Sequence, residues 1–170
     1  SLPPDNETEK NVLSAQLLQH TVLDNFSAVG IGPGIGTDEK TILFFEHLLK
    51  LYKQPMVIDA DALNILATHK NLLQLITPYS LLTPHPGEFK RLTGDWKDDL
   101  HKLNKQQAFA EKHKVVLILK GANTSIAMPN GTVYFNSTGN PGMAKGGSGD
   151  VLTGPLTSVL SEHFSAEHAA

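Results

Sequence analysis

Ala28-Val29-Gly30-Ile31-Gly32-Pro33-Gly34-Ile35-Gly36-Thr37-Asp38-Glu39 is the stretch in which the fold class first shows itself. Residues 28–31 are a short apolar run, and the glycines flanking Pro33 make a turn. Thr37 reads as the N-cap of an amphipathic helix running to about Tyr52, with acids in its first turn. Strand, glycine-rich turn and helix in that order form one β-α unit.

The unit repeats downstream. Pro55-Met56-Val57-Ile58 reads as a strand whose end meets Asp59-Ala60-Asp61-Ala62-Leu63 at the start of a helix. Ser80-Leu81-Leu82 is followed by Thr83-Pro84-His85-Pro86-Gly87-Glu88-Phe89 and a short helix. A polar helix over about 97–113 leads to the apolar run Val115-Val116-Leu117-Ile118-Leu119, which ends at Lys120-Gly121. Residues 124–128 and 132–135 flank Pro129-Asn130-Gly131, a hairpin signal. A glycine-rich segment over 139–149 feeds a last helix from about Asp150 to Leu160, which Pro155 is expected to bend. Strands alternating with helices predict an α/β architecture, a mostly parallel sheet with helices on both faces. In such sheets ligands gather beyond the strands' carboxyl ends, which is where each polar cluster falls.

Composition sets the outer limits. With 170 residues, 40% hydrophobic and 18% charged, the chain reads as one globular domain over 1–170. A net charge of -3 supplies no general attraction for nucleic acid or anionic lipid. The absence of cysteine excludes a disulfide framework and a thiolate zinc site and suits a reducing compartment, so cytoplasm is the expectation. Residues 1–10 lack a signal-peptide pattern, and no apolar run approaches the roughly 20 residues needed to span a bilayer. The chain does not begin with Met, and both ends read as cut from something longer.

Among the clusters, Lys145-Gly146-Gly147-Ser148-Gly149-Asp150 carries most chemistry. Consecutive small residues let backbone N–H groups converge, and the positive end of a helix dipole favours an anion there. Asp150 could take the proton of a substrate hydroxyl and make that oxygen a nucleophile toward a phosphoryl group. The plainer reading is a glycine loop closed by an ordinary capping Asp. The Gly30–Gly36 turn is superficially like a dinucleotide fingerprint, but its spacing is wrong and Pro33 removes one N–H. It is a tight turn, or a surface on which a ligand lies against backbone. Asp59 and Asp61 either cap their helix or approach a magnesium–phosphate site. His85 is stiffened between two prolines, and Glu88 could bond the turn or support a metal; both are also ordinary structural residues. Lys120 could reach a nucleotide phosphate as a point charge, or simply sit at the surface. Asn136-Ser137-Thr138-Gly139-Asn140 suits a ribose, a phosphate or a turn. The remaining histidines show no metal-ligand spacing.

The ordered set is more specific than any member. Gly32-Pro33-Gly34, Asp59-Ala60-Asp61-Ala62-Leu63, Thr83-Pro84-His85-Pro86-Gly87-Glu88, Lys120-Gly121-Ala122-Asn123-Thr124 and the run from Gly139-Asn140-Pro141-Gly142 to Asp150 resemble the carbohydrate-kinase-like domain of ADP/ATP-dependent NAD(P)H-hydrate dehydratases. The resemblance covers about residues 29–160. It implies a ribokinase-like three-layer fold and a repair reaction, in which nucleotide phosphorylates the ring hydroxyl of hydrated NADH or NADPH and loss of phosphate restores the dinucleotide. Carried over by position, Lys120, Gly121, Ala122, Asn123, Thr124 and Gly149 would contact ADP or ATP. Gly32, Gly34, His85 and Asp150 would contact the hydrated dinucleotide, with Asp150 as base and the amides of Gly147, Ser148 and Gly149 as anion hole. Magnesium is the implied cofactor, with Asp59 and Glu88 as indirect supports; the partners are small molecules, and a homo-oligomer is open.

The family usually carries a further N-terminal stretch, and helices beyond the point where this chain stops, so the chain resembles a partial domain. Two other functions fit the residues: a small-molecule kinase of the same superfamily, acting on a thiamine-precursor type of alcohol, and a nucleotide-binding module without activity.

Overall fold

The computed structural model describes residues 28–121 and 124–135. In chain order these form β1 (Val29–Ile31), α1 (Glu39–Leu51), β2 (Met56–Ile58), α2 (Ala60–Thr68), a 3-10 helix (Lys70–Leu75), β3 (Leu81–Leu82), α3 (Pro86–Thr93), α4 (Asp99–His113), β4 (Val116–Leu119), β5 (Ser125–Ala127) and β6 (Val133–Phe135). The predicted elements within this span are present. The last helix, Pro155 and the 139–149 segment lie outside the described residues.

One six-stranded sheet runs β1-β2-β3-β4-β5-β6. β1 to β4 are parallel, with Val29 opposite Met56, Val57 opposite Leu81 and Leu81 opposite Val116. β5 and β6 return antiparallel, with Leu117 opposite Ala127 and Ile126 opposite Tyr134. The hairpin turns through Pro129-Asn130-Gly131: Gly131 N–H donates to Met128 O at 3.0 Å, and Gly131 takes φ 85°, where a side chain is disfavoured.

Successive residues of a strand face opposite sides of the sheet, and the core divides accordingly. Ile31, Met56, Ile58, Leu82, Leu117 and Leu119 pack with helix residues such as Phe45, Leu63, Phe89 and Phe109. Val57, Leu81, Val116 and Ile118 form a second cluster with Met128 on the other side. Right-handed crossovers that always advance in one direction keep their helices on one face. All four described α-helices accordingly contribute to the first cluster. Any helix layer on the second face would lie outside the described residues.

The helix starts show where local chemistry was read one residue off. The N-cap of α1 is Asp38, not Thr37: its backbone is extended and its Oδ1 accepts from Thr41 N at 2.9 Å. A hydroxyl one residue earlier is too far back to reach those amides. α4 is capped by Asp98, which accepts from His101 N. From α4, the fully buried Gln106 donates to Leu117 O and Ser125 O, both at 3.0 Å, and accepts from Ser125 Oγ at 2.7 Å. Gln107 donates to Gly131 O at 2.7 Å. Two adjacent glutamines thus clamp the hairpin onto the helix.

Candidate functional site

Because β1 to β4 are parallel, the polar clusters that follow them come out on a single sheet edge. After β1, the turn from Gly32 to Gly36 takes positive φ at Gly32 (137°), Gly34 (67°) and Gly36 (77°). Ile31 O accepts from Asp59 N at 3.0 Å, which draws the turn against the end of β2. A methyl group on Gly32 would overlap the Asp59 carbonyl, whereas one on Gly34 would meet nothing within 4 Å. Gly32 therefore has a packing reason to be glycine, and Gly34 lines open space.

Asp59 caps α2: its Oδ1 accepts from Ala60 N at 2.8 Å, and Ala60 itself takes φ 45°. The same Oδ1 lies 2.9 Å from Lys120 Nζ. The carboxylate side chain is 1% exposed and the lysine side chain 22%. Asp61, in the first turn of the helix, accepts from Gly36 N at 3.0 Å, tying the first loop to the second.

After β3, Thr83 is fully buried and its Oγ1 has no hydrogen-bond partner among the described residues. His85 is the N-cap of α3: its Nδ1 accepts from Gly87 N at 2.9 Å, while Glu88 Oε2 accepts from His85 N at 2.8 Å. With Nδ1 an acceptor, the neutral ring carries its proton on Nε2, 3.4 Å from Glu88 Oε1. Half of the His85 side chain, 51%, remains exposed while Glu88 is buried. Both ring nitrogens have protein neighbours, and the exposed half of the side chain is open to solvent. Lys120 N–H donates to Pro84 O at 2.9 Å, which locks the end of β4 to this loop.

The structure thus brings together Gly32, Asp59, Asp61, His85, Glu88 and Lys120 on one rim, with Gly34 in the loop above it. Gly121 and Thr124 bound the next loop, where Thr124 Oγ1 lies 3.5 Å from Gly121 O. Ala122, Asn123, Gly147, Ser148, Gly149 and Asp150 lie outside the described residues, as does the 136–140 segment. Three features went unread in the sequence: the Asp59–Lys120 pair, whose members are 61 residues apart, the orphaned Thr83 hydroxyl, and Gln106. No spacing signals them, since each depends on which strands are neighbours.

A rim of glycine turns, fixed carboxylates, a capped histidine and a lysine at parallel strand ends suits a phosphorylated ligand. A sequence model of the NAD(P)H-hydrate dehydratase family, of carbohydrate-kinase type, matches residues 4–170. The chain belongs to this dehydratase family. Among the relatives of this family member is a bifunctional NAD(P)H-hydrate repair enzyme of Moorella thermoacetica, 42% identical over 166 residues, covering 95% of this chain and 31% of that protein. The ADP-dependent (S)-NAD(P)H-hydrate dehydratase of Bacillus subtilis is 38% identical over 148 residues, covering 86% of this chain and 51% of that protein. A crystal structure of the ADP/ATP-dependent NAD(P)H-hydrate dehydratase from Bacillus subtilis, co-crystallised with ATP/Mg2+, superposes with a TM-score of 0.68 at 35% identity. That superposition covers 84% of this chain and 50% of the other. The dehydratase-family chain thus spans about half or less of the length of these relatives, and its fold is ribokinase-like.

Among the described residues no helix is long and apolar enough to cross a membrane, and no three His, Asp or Glu side chains cluster as a metal cage. The carboxylates of the rim already accept hydrogen bonds from protein groups. Magnesium keeps several waters and is commonly held through substrate phosphates, so it needs no such cage. The donor set of the described residues fits an ion delivered with the nucleotide.

Proposed function

We propose that this protein, as a single domain over 1–170, carries the catalytic part of a nucleotide-dependent dehydration of hydrated NADH and NADPH. The observation that carries the reading is the meeting of the Gly32–Gly36 turn, the His85 loop and Lys120 on one edge of a parallel sheet in a chain of this family. Lys120 and the loop from Gly121 to Thr124 would receive the adenine nucleotide, with Gly149 closing over it. Gly34 and the exposed half of the His85 side chain would receive the hydrated dinucleotide; Gly32 would support that turn from below.

Asp150 would accept the proton of the ring hydroxyl as its oxygen attacks the terminal phosphoryl group; the bridging P–O bond would break with AMP leaving from ADP, or ADP from ATP, the amides of Gly147, Ser148 and Gly149 stabilising the charge that develops. Phosphate would then depart with the C–O bonding pair and an adjacent ring proton would be lost, restoring the double bond. Asp59 and Glu88 would support magnesium only indirectly, and the ion, when bound with the nucleotide, would supply neutralisation of charge on the phosphates. The absence of cysteine suits a reducing compartment and supports the cytoplasm as the place of this activity.

The test supplies hydrated NADH, ADP or ATP and magnesium to the chain and follows NADH absorbance and free phosphate. Recovery of both, abolished by Asp150→Asn with ADP affinity nearly intact, is the expected result. A stable phosphorylated alcohol made from another substrate would point instead to a small-molecule kinase. Nucleotide binding without recovery of NADH would leave a binding module.

A further inference from the structure

The Asp59–Lys120 ion pair has an unusual route. Asp59 follows β2 and Lys120 follows β4, with β3 between them in the sheet. The lysine side chain therefore crosses the end of β3 and sets its ammonium near the middle of the rim, above the loop that begins at Thr83. Its backbone is tied down on the way, by the N–H bond to Pro84 O at 2.9 Å.

The anchor is stiffer than a surface carboxylate. Asp59 N donates to Ile31 O, Asp59 O accepts from Ala62 N at 3.1 Å, and Oδ1 accepts from Ala60 N. Gly32 covers its carbonyl so closely that no side chain fits there. The burial is also lopsided, with a sealed carboxylate and an ammonium on a side chain still 22% exposed. An ammonium has three N–H donors, and one on Asp59 leaves others for an incoming anion. A free lysine loses rotamer entropy when it is ordered, and here the ordering precedes the ligand.

We propose that Asp59 is a positioning residue that holds Lys120 aimed at the nucleotide phosphates before the nucleotide arrives. The inference rests on the reading of Lys120 as a phosphate ligand. Asp59 also caps α2, and the two duties are separable: Asn caps a helix as well as Asp does but carries no charge to hold an ammonium.

The experiment is a double-mutant cycle on the affinity for ADP and ATP, with Asp59→Asn, Lys120→Met and the pair, each also followed by thermal unfolding. Nucleotide affinity should fall about tenfold in D59N and further in K120M. D59N on the K120M background should then change nothing more, because the group it acts through is gone. Additive losses, or unaltered affinity in D59N, would overturn the positioning role while leaving Lys120 as a ligand. An unaltered affinity in K120M would remove both the phosphate role of Lys120 and this inference, and a wild-type chain that binds no nucleotide would remove the functional reading as well. If D59N does not fold, Asp59→Ser, which retains a capping oxygen, takes its place in the cycle.

Discussion

At Gly32 two requirements coincide: φ of 137°, and an Asp59 carbonyl in the space a Cβ would occupy. Neither can be relieved by a side-chain rotation, since both clashing groups are backbone. Gly32→Ala should cost more than about 3 kcal/mol of stability in denaturant titration. Gly34→Ala, with open space around it, should cost only the about 1–2 kcal/mol of a left-handed backbone. Equal costs would mean that the crossing at Asp59 is not what holds the turn. Thr83 presents the opposite case, a buried hydroxyl that bonds to nothing among the described residues. Thr83→Val keeps the shape and removes a desolvated polar atom, so it should be neutral or stabilising by up to about 1 kcal/mol. A clear loss of stability would show that the hydroxyl has a partner after all.

Among the elements, the β5–β6 hairpin depends on α4 more than on its own length. Three-residue strands are short, and the pair is held to the helix by Gln106 with three buried hydrogen bonds and by Gln107 at the turn. Gln106→Met conserves volume but leaves Leu117 O and Ser125 Oγ without this partner. It should cost about 3 kcal/mol, part of which a second change, Ser125→Ala, should recover by removing the stranded hydroxyl. Purely additive effects of the two would mean that the network is not one unit. The hairpin opens directly from the loop between Gly121 and Thr124, so the clamp also fixes the ends of that loop. This contribution was invisible in sequence, where Gln106 is one polar residue in a polar helix.

For the whole molecule, the pH dependence of unfolding follows from a histidine remote from the rim. His113 ends α4 with its ring 4.5 Å from that of Phe109, and burial, aided by Lys112, holds it below the usual imidazole range. A depressed value means that the unfolded chain takes up this proton first as pH falls. The contribution is therefore present above about pH 6.5 and is lost progressively on descending from there through the folded-state value. His113→Gln should flatten the stability profile in that window, and an unchanged slope would assign it to other groups. The same scale separates what each level of description could supply. Apolar runs, glycine turns and capping residues act over a few positions, so the sequence by itself determined, within the described residues, the alternation of strands and helices, the hairpin and the placing of the polar clusters just past β1, β2, β3 and β4. Even there Asp38 displaced Thr37 as cap, because which amide a short side chain reaches depends on backbone angles at that one residue. Strand order is set by burial between segments far apart in the chain, and only the tertiary structure decided it. That order gathered the described helices on one face, stretched Lys120 across β3 to Asp59, and set Gly32 against a carbonyl 27 residues further along the chain.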